Sequence, residues 1–139
     1  MKIIYYSYYG NYISLLVSYM HLNNRRFITK EEFLNIPFLL DINYGEIRHI
    51  GDLDKNSIYV MGTKSYSSNI KKTLYGLMEI FNIKDKVIFI NTSKYEVRYL
   101  KIAIFLYKKN ILKRFIEEIL YLNAKKNFRE ISKLILSSK

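Results

Sequence analysis

Three short runs of β-branched and aromatic residues are the feature of this sequence that most constrains its fold. They cover residues 2–6, 57–61 and 86–90, and polar residues or glycine bound each run, as is typical of strands. Segments with apolar residues at helical spacing separate the runs. Because parallel strands need a long crossover, usually a helix, this alternation predicts an α/β fold. We expect a small Rossmann-like three-layer sandwich, with a mostly parallel sheet of about three to five strands and helices on both faces.

The segments between the strands carry further helix and strand signals. Residues 12–22 are apolar on nearly every side and include the small Ser14 and Ser18, which predicts a buried helix that approaches the sheet closely. Thr29 is predicted to be the N-cap of a short helix, because acidic residues follow it in the first turn. A strand over residues 46–50 is predicted to pair with the strand at residues 57–61 as a hairpin. The clearest helical stripe consists of Ile70, Leu74, Leu77, Met78 and Phe81.

The C-terminal third, residues 95–137, is predicted to be helical. A break is expected near Asn123, with a further turn or two of helix after it. The apolar stripe before the break consists of Ile111, Leu112, Phe115, Ile116, Ile119 and Leu120. These helices are expected either to pack on the sheet or to form a seam between two copies of the chain. A length of 139 residues predicts a single domain over residues 1–139.

Three polar loops follow the predicted strands and precede predicted helices. In an open parallel sheet, ligands bind at the carboxyl ends of the strands, where helix N-termini attract anions. The loops therefore predict a site for a phosphate-containing or nucleotide-like ligand. The alternative is that these residues serve only as turns and N-caps. The sequence has no complete P-loop and no GxGxxG motif. The candidate contacts are Ser7, Gly10, Asn11, Ser14, Gly62, Thr63, Lys64, Ser65, Asn91 and Thr92.

The charge of the chain suggests a second class of function. The formal net charge is +11, and residues 94–139 hold twelve Lys and Arg against four Glu. This surplus predicts a module that binds nucleic acid or an acidic protein. A compositional bias of the kind that AT-rich genomes produce is the competing explanation, and a structural or homodimerising role is a third possibility. The candidate basic patch consists of Arg98, Lys101, Lys108, Lys109, Lys113 and Arg114.

Several chemistries are disfavoured by composition. The chain has no cysteine, which excludes disulfides, thiolate metal ligands and a cysteine nucleophile, and it has only two histidines. No acidic cluster has metal-ligand spacing, so neither a metal nor a cofactor is predicted, and we expect no strong catalysis. The first residues do not resemble a signal peptide, and no apolar run is long enough to span a membrane. A cytoplasmic location is therefore expected.

Tyrosines are concentrated around the first loop. Aromatic side chains beside basic residues can stack on nucleobases. More often such tyrosines lie at the edge of a core and direct the hydroxyl to water, and we favour that interpretation here. The tyrosines are Tyr5, Tyr6, Tyr8, Tyr9 and Tyr12.

The loop segments resemble those of an uncharacterised family of small proteins from spore-forming Gram-positive bacteria. Its members open with a strand reading KIIYHCYGG, followed by a polar residue, His and Ser-Ser, and the chain here reads KIIYYSYYGNYIS over residues 2–14. Later strands of the family end in Gly and in Asn-Thr, as at Gly62 and Asn91 here. The resemblance implies the same strands and loops but no established activity. The family's Cys, a Gly, His and a Ser are replaced by Ser7, Tyr9, Tyr12 and Ile13, which implies that any chemistry of those residues is lost.

Overall fold

A computed structural model describes residues 1–138 and shows one four-stranded sheet. Strands β1 (Lys2–Ser7), β3 (Asn56–Gly62) and β4 (Val87–Asn91) are parallel, and β2 (Ile47–Leu53) pairs antiparallel with β3. The spatial order is β2-β3-β1-β4. The predicted α/β sandwich with a mostly parallel sheet is confirmed, as is the hairpin between β2 and β3.

Five α-helices cover the sheet. They are α1 (Ile13–Leu22), α2 (Lys30–Leu34), α3 (Ser67–Ile80), α4 (Leu100–Lys108) and α5 (Lys113–Ser137). The chain steps across the sheet in one direction from β1 to β3 and in the opposite direction from β3 to β4. Because crossovers between parallel strands are right-handed, the two connections place α1 and α3 on opposite faces.

The two faces of the sheet are covered very unequally. Helices α1, α2, α4 and α5 enclose a large core on one face, whereas the buried residues on the α3 face are only Ile4, Tyr6 and Met61 among those described. No residue of α3 is fully buried. The predicted α3 stripe is therefore only partly correct: Ile70 and Leu74 pack on the sheet, but Leu77 and Phe81 are 43% and 70% exposed. One helix is too narrow to cover this face.

Helix α1 is buried along most of its length, as predicted. Its two serines are fully buried, and Ser18 Oγ donates a hydrogen bond to the Ser14 carbonyl at 2.7 Å. This bond satisfies a hydroxyl that would otherwise be unpaired in the core. At the other end of the helix, the Tyr5 hydroxyl and His21 Nδ1 lie 2.8 Å apart. Burial raises the pKa of Tyr5 to about 12, so its hydroxyl remains protonated.

Thr29 is the N-cap of α2, as predicted. Its side chain accepts a hydrogen bond from the Glu32 amide, and the Glu32 carboxylate accepts one from the Thr29 amide at 2.8 Å. These reciprocal bonds form a capping box, which satisfies two amides of the first turn.

The predicted break near Asn123 is wrong. Helix α5 runs without interruption for 25 residues, and Asn123 lies within it. The Asn123 amide group donates hydrogen bonds to the Tyr12 hydroxyl at 3.0 Å and to the Tyr95 carbonyl at 3.1 Å. Tertiary contacts therefore offset the low helix propensity of asparagine.

Candidate functional site

The carboxyl ends of the three parallel strands meet at one edge of the sheet. Ser7 pairs in register with Gly62, and Tyr6 pairs with Asn91. The chain leaves β1 towards one face and leaves β3 towards the other, so the crevice between these strands is a topological switch point. The structure thus brings the three predicted loops together at the position where open α/β sheets bind ligands.

Buried hydroxyl groups hold the loops to one another. The Gly10 amide donates to Ser7 Oγ at 3.1 Å, and Thr92 Oγ1 donates to the Tyr6 carbonyl at 3.0 Å. The Ser14 and Thr92 hydroxyls are 2.9 Å apart. Because the Thr92 proton is used on the carbonyl, Ser14 is the donor in this pair. These side chains connect β1, α1 and β4 below the surface.

Gly10 and Gly62 allow close contact between backbone segments. A Cβ on Gly10 would lie 2.3 Å from the Gly62 nitrogen, and a Cβ on Gly62 would lie 2.0 Å from the Asn43 carbonyl oxygen. Gly10 also has a φ of +65°, which favours glycine. Both glycines therefore have a packing role within the protein, whether or not a ligand binds nearby.

Residues 39–45, which we call the crossing segment, lie against the switch point. The Tyr12 amide donates to the Leu39 carbonyl at 2.6 Å, and the Asn43 amide donates to the Tyr9 carbonyl at 2.9 Å. The Gly45 amide donates to the Gly62 carbonyl at 2.8 Å. The crossing segment thus supplies backbone groups to two of the three loops and partly covers them.

The loop after β3 is also bonded within the protein. The amides of Thr63 and Lys64 donate to the Ser7 and Tyr8 carbonyls, both at 3.0 Å. Lys64 and Ser65 have exposed side chains. With these amides and those of Gly10 and Tyr12 already paired, side chains rather than those four amides are available to a ligand.

Among residues 1–138, Asn11 is the one side chain of the three loops that is both completely buried and unpaired. It is 0% exposed, and neither its amide oxygen nor its amide nitrogen has a hydrogen-bond partner in the described part of the chain. An unsatisfied buried polar group costs about 1–3 kcal/mol, and such groups are rare in folded proteins. The crossing segment forms backbone hydrogen bonds with Tyr9 and Tyr12, on either side of Asn11 in the sequence, but not with the Asn11 side chain. This amide is therefore a candidate ligand contact.

Glu96 adds an ionisable group that the sequence analysis did not single out. Burial raises the pKa of its carboxyl group to about 7, and the contact with the Ser7 hydroxyl opposes this increase. Its Oε1 atom has no partner among the described residues. A short 3-10 turn, Ser93–Tyr95, positions it after β4. Glu96 is the only acidic residue between Asp85 and Glu117, but an isolated carboxylate in a sequence does not by itself indicate a buried group.

The tyrosines of the first loop divide into two groups. Tyr5, Tyr6 and Tyr12 belong to the core, as favoured from sequence, but the hydroxyls of Tyr5 and Tyr12 bond to buried protein groups rather than to water. Tyr8 is 42% exposed. Tyr8, Tyr9 and Tyr44 form an aromatic cluster with ring centroids 4.8 to 6.2 Å apart. Tyr44 belongs to the crossing segment and is itself 40% exposed. The switch point therefore has an aromatic surface at its rim.

A cation completes this surface. Lys64 Nζ lies 4.5 Å from the centroid of the Tyr44 ring, within the range of a cation–π contact.

On the other side of β1, Asn91 is exposed and its Oδ1 accepts a hydrogen bond from the Ser93 amide at 2.9 Å, which is a local turn contact.

The predicted basic patch begins at Arg98 in the turn before α4 and continues on α4, on the turn after it and on the first turn of α5, away from the three loops. All six of its side chains are exposed: Arg98, Lys101, Lys108, Lys109, Lys113 and Arg114.

Within residues 1–138 there is no cluster of three histidine or carboxylate side chains that would hold a metal ion. None of the described helices combines the length and the apolarity needed to cross a membrane.

Comparison with known proteins gives a family but no activity. No curated protein and no solved structure matches the chain. The family model described as "Protein of unknown function (DUF3189)" matches residues 2–139. This match confirms the expectation of a domain family of unknown function, and the chain belongs to the DUF3189 family.

Proposed function

We propose that this chain is a binding domain for a nucleotide-like or other phosphate-containing ligand, held at the switch point between β1 and β3, without strong catalysis. The observation that carries the proposal is the Asn11 side chain, which is fully buried at the start of α1 with both polar atoms unpaired. A ligand that hydrogen-bonds to this amide would remove a penalty that the free protein bears.

The aromatic rim supports the nucleotide-like form of the ligand. Tyr8 and Tyr44 expose parts of their rings beside Lys64. A nucleobase stacked on such a ring gains about 1–3 kcal/mol. Lys64 can then contact the phosphate as a point charge, while the N-terminus of α1 contributes a positive dipole.

Glu96 makes phosphate binding depend on pH in this proposal. Its carboxyl group has a pKa of about 7, so it is neutral at lower pH and can then donate a hydrogen bond to a phosphate oxygen. Above that pH it is a carboxylate and repels an anion. Affinity for a phosphate-containing ligand is therefore expected to fall as the pH rises past 7, and Glu96→Gln is expected to remove this dependence.

The experiment is a calorimetric titration with AMP, adenosine, ribose 5-phosphate and inorganic phosphate. AMP is expected to bind most tightly, because it alone offers both a base and a phosphate. Asn11→Leu and Tyr44→Leu are expected to weaken AMP binding, whereas Tyr66→Leu, at a 59% exposed tyrosine outside the aromatic cluster, is the matched control. If none of the four compounds binds, or if Tyr66→Leu weakens AMP binding as much as Tyr44→Leu, the proposal is wrong.

A further inference from the structure

The turn between α4 and α5 presents large apolar side chains to solvent. We call residues 108–115 the hairpin tip. Within it, Leu112 and Phe115 are 63% and 60% exposed. On α4, Ile102 and Phe105 continue the surface at 63% and 59% exposed. An apolar cleft of about 130 Å³ between the two helices adjoins these residues and is lined only by Tyr, Ile, Ala, Leu and Phe side chains. This is an exposed apolar patch of the kind that marks an interaction site.

Positive charge surrounds this patch without compensation. Residues 97–116 contain six Lys and Arg and no Asp or Glu. The hairpin tip carries four of them, in the pairs Lys108-Lys109 and Lys113-Arg114 on either side of Ile111-Leu112. In the part of the chain that the structure describes, none of the six belongs to an ion pair. The patch thus combines apolar side chains with flanking cations that form no ion pair among the described residues, although Lys113 Nζ lies 5.0 Å from the centroid of the Tyr107 ring and Glu117 and Glu118 follow in the next turn of α5.

The hairpin tip also departs from what stability alone favours. Leu112 is the N-cap of α5 with a φ of +51°, a left-handed conformation that is unfavourable for leucine. The Leu112 side chain has no polar atom that could accept a hydrogen bond from the free amides of the first turn. Lys113 and Arg114 occupy that turn, where the helix dipole favours acidic side chains. Seven other described non-glycine residues also have a positive φ, so this conformation alone does not distinguish the hairpin tip. Its coincidence with mismatched charge in the first helical turn is the combination that points to a functional site.

We propose that the hairpin tip docks on an anionic lipid surface, with Ile111, Leu112 and Phe115 inserted among the headgroups and the four flanking cations on the lipid phosphates. An anionic lipid surface fits the hairpin tip because its negative headgroups complement the four cations that flank Ile111 and Leu112. Apolar insertion and electrostatic attraction act together when a basic amphipathic element binds an anionic membrane. The anionic headgroups would also relieve the repulsion between the first-turn cations and the helix dipole.

Other occupants fit the hairpin tip less well. A second copy of the same surface would bring six cations against six others, which is unfavourable. The phosphates of a nucleic acid would pair with the cations. Exposed Leu112 and Ile102, however, would add little to nucleic-acid binding, because aliphatic side chains cannot stack on bases as aromatic rings do. These occupants become outcomes of the test.

The test is flotation of the full chain with two kinds of vesicle at an ionic strength of about 0.1 M. One is pure phosphatidylcholine, and the other contains about 30% phosphatidylglycerol. The protein is expected to float with the anionic vesicles and to be released as salt is raised. Leu112→Asn removes the apolar tip while asparagine tolerates the left-handed backbone, so the variant should fold and yet bind roughly tenfold more weakly. The matched control is Ile80→Asn, at a 76% exposed residue of α3, which should bind like the wild type.

A second pair of variants separates charge from insertion. Lys108→Gln with Lys109→Gln should weaken binding roughly tenfold or more, whereas Lys125→Gln with Lys126→Gln, on exposed lysines further along α5, should not. The chain has 14 tyrosines but no tryptophan, so Phe115→Trp gives a single tryptophan at the hairpin tip, which can be excited at wavelengths that tyrosine does not absorb. Its emission should shift to the blue on anionic vesicles, while Phe81→Trp, at a 70% exposed position on the opposite face, should not shift.

Three results would overturn the proposal. The first is an equal or absent affinity for the two kinds of vesicle. The second is binding that Leu112→Asn leaves unchanged. The third is a chain that binds single-stranded oligonucleotide, or forms a dimer dependent on Leu112, while failing to bind anionic vesicles.

Discussion

Replacing Asn11 with leucine is expected to stabilise the free protein. Leucine matches asparagine in the number and branching of its side-chain heavy atoms, but its methyl groups are bulkier than the amide oxygen and nitrogen, so some overpacking is expected in a site that is 0% exposed. It removes two polar atoms that have no partner, and each buried unpaired group costs about 1–3 kcal/mol. Allowing for imperfect packing of the new side chain, we expect the free energy of unfolding to rise by about 2 kcal/mol.

This gain is large enough to measure by thermal unfolding. For a chain of 139 residues, a change of 1 kcal/mol shifts the melting temperature by roughly 3 to 5 °C, so Asn11→Leu should raise it by roughly 6 to 10 °C. Chemical denaturation should give the same sign with an unchanged m-value. The same variant should bind AMP more weakly, which is the trade-off expected where a functional group is unsatisfied in the free state.

A second buried asparagine provides the control. Asn43 is 3% exposed, but its amide nitrogen donates to the Glu46 carbonyl at 3.0 Å. Asn43→Leu should therefore lower the free energy of unfolding by about 1 kcal/mol. If Asn11→Leu lowers the melting temperature as Asn43→Leu does, then the Asn11 amide already has a partner in the free protein. The Asn11 amide would then need no ligand to satisfy it.

The remaining predictions concern other parts of the molecule. The pKa of Glu96 rises from 4.5 to about 7 on folding, so protonation of its carboxyl group stabilises the folded protein below pH 4.5, and this stabilisation is lost as the pH rises to 7. Over that pH window, the free energy of unfolding of the wild type should fall by up to about 3 kcal/mol relative to that of Glu96→Gln, as denaturation at several pH values would show. Gly62→Ala should prevent folding or destabilise the protein by several kcal/mol, since the new Cβ would lie 2.0 Å from a carbonyl oxygen. In the same assay, Gly76→Ala in α3 should stabilise the protein by about 0.5–1 kcal/mol, because the new Cβ would have no atom within 4 Å. Thr29→Ala should lose about 1 kcal/mol through the capping box, and an unchanged melting temperature would contradict that role.

Features set by local sequence were predictable. The strands follow from short runs of β-branched residues, and the cap at Thr29 follows from the acids after it, because both signals lie within a few residues of the structure that they specify. The placement of three loops at one edge follows from the parallel sheet, whose carboxyl ends have to coincide.

Features set by distant contacts were not predictable. The crossing segment reaches the switch point through backbone bonds, such as the one from the Tyr12 amide to the Leu39 carbonyl, and backbone bonds leave no side-chain pattern in the sequence. The continuity of α5 at Asn123 depends on Tyr12 and Tyr95, which lie far away along the chain. Glu96 was overlooked because a single carboxylate becomes notable only once its burial is known.

The unequal cover of the two sheet faces implies that the native state opens unevenly. Helix α3 has no fully buried residue, and the small core beneath it contains Ile4, Tyr6 and Met61. Its amide hydrogens should therefore exchange with solvent through local opening, at a free energy well below that of global unfolding. Because the chain enters α3 directly from the loop after Gly62, such fluctuations would loosen one side of the switch point. The larger core, to which Tyr12 and Ile13 belong, would stay folded during these fluctuations.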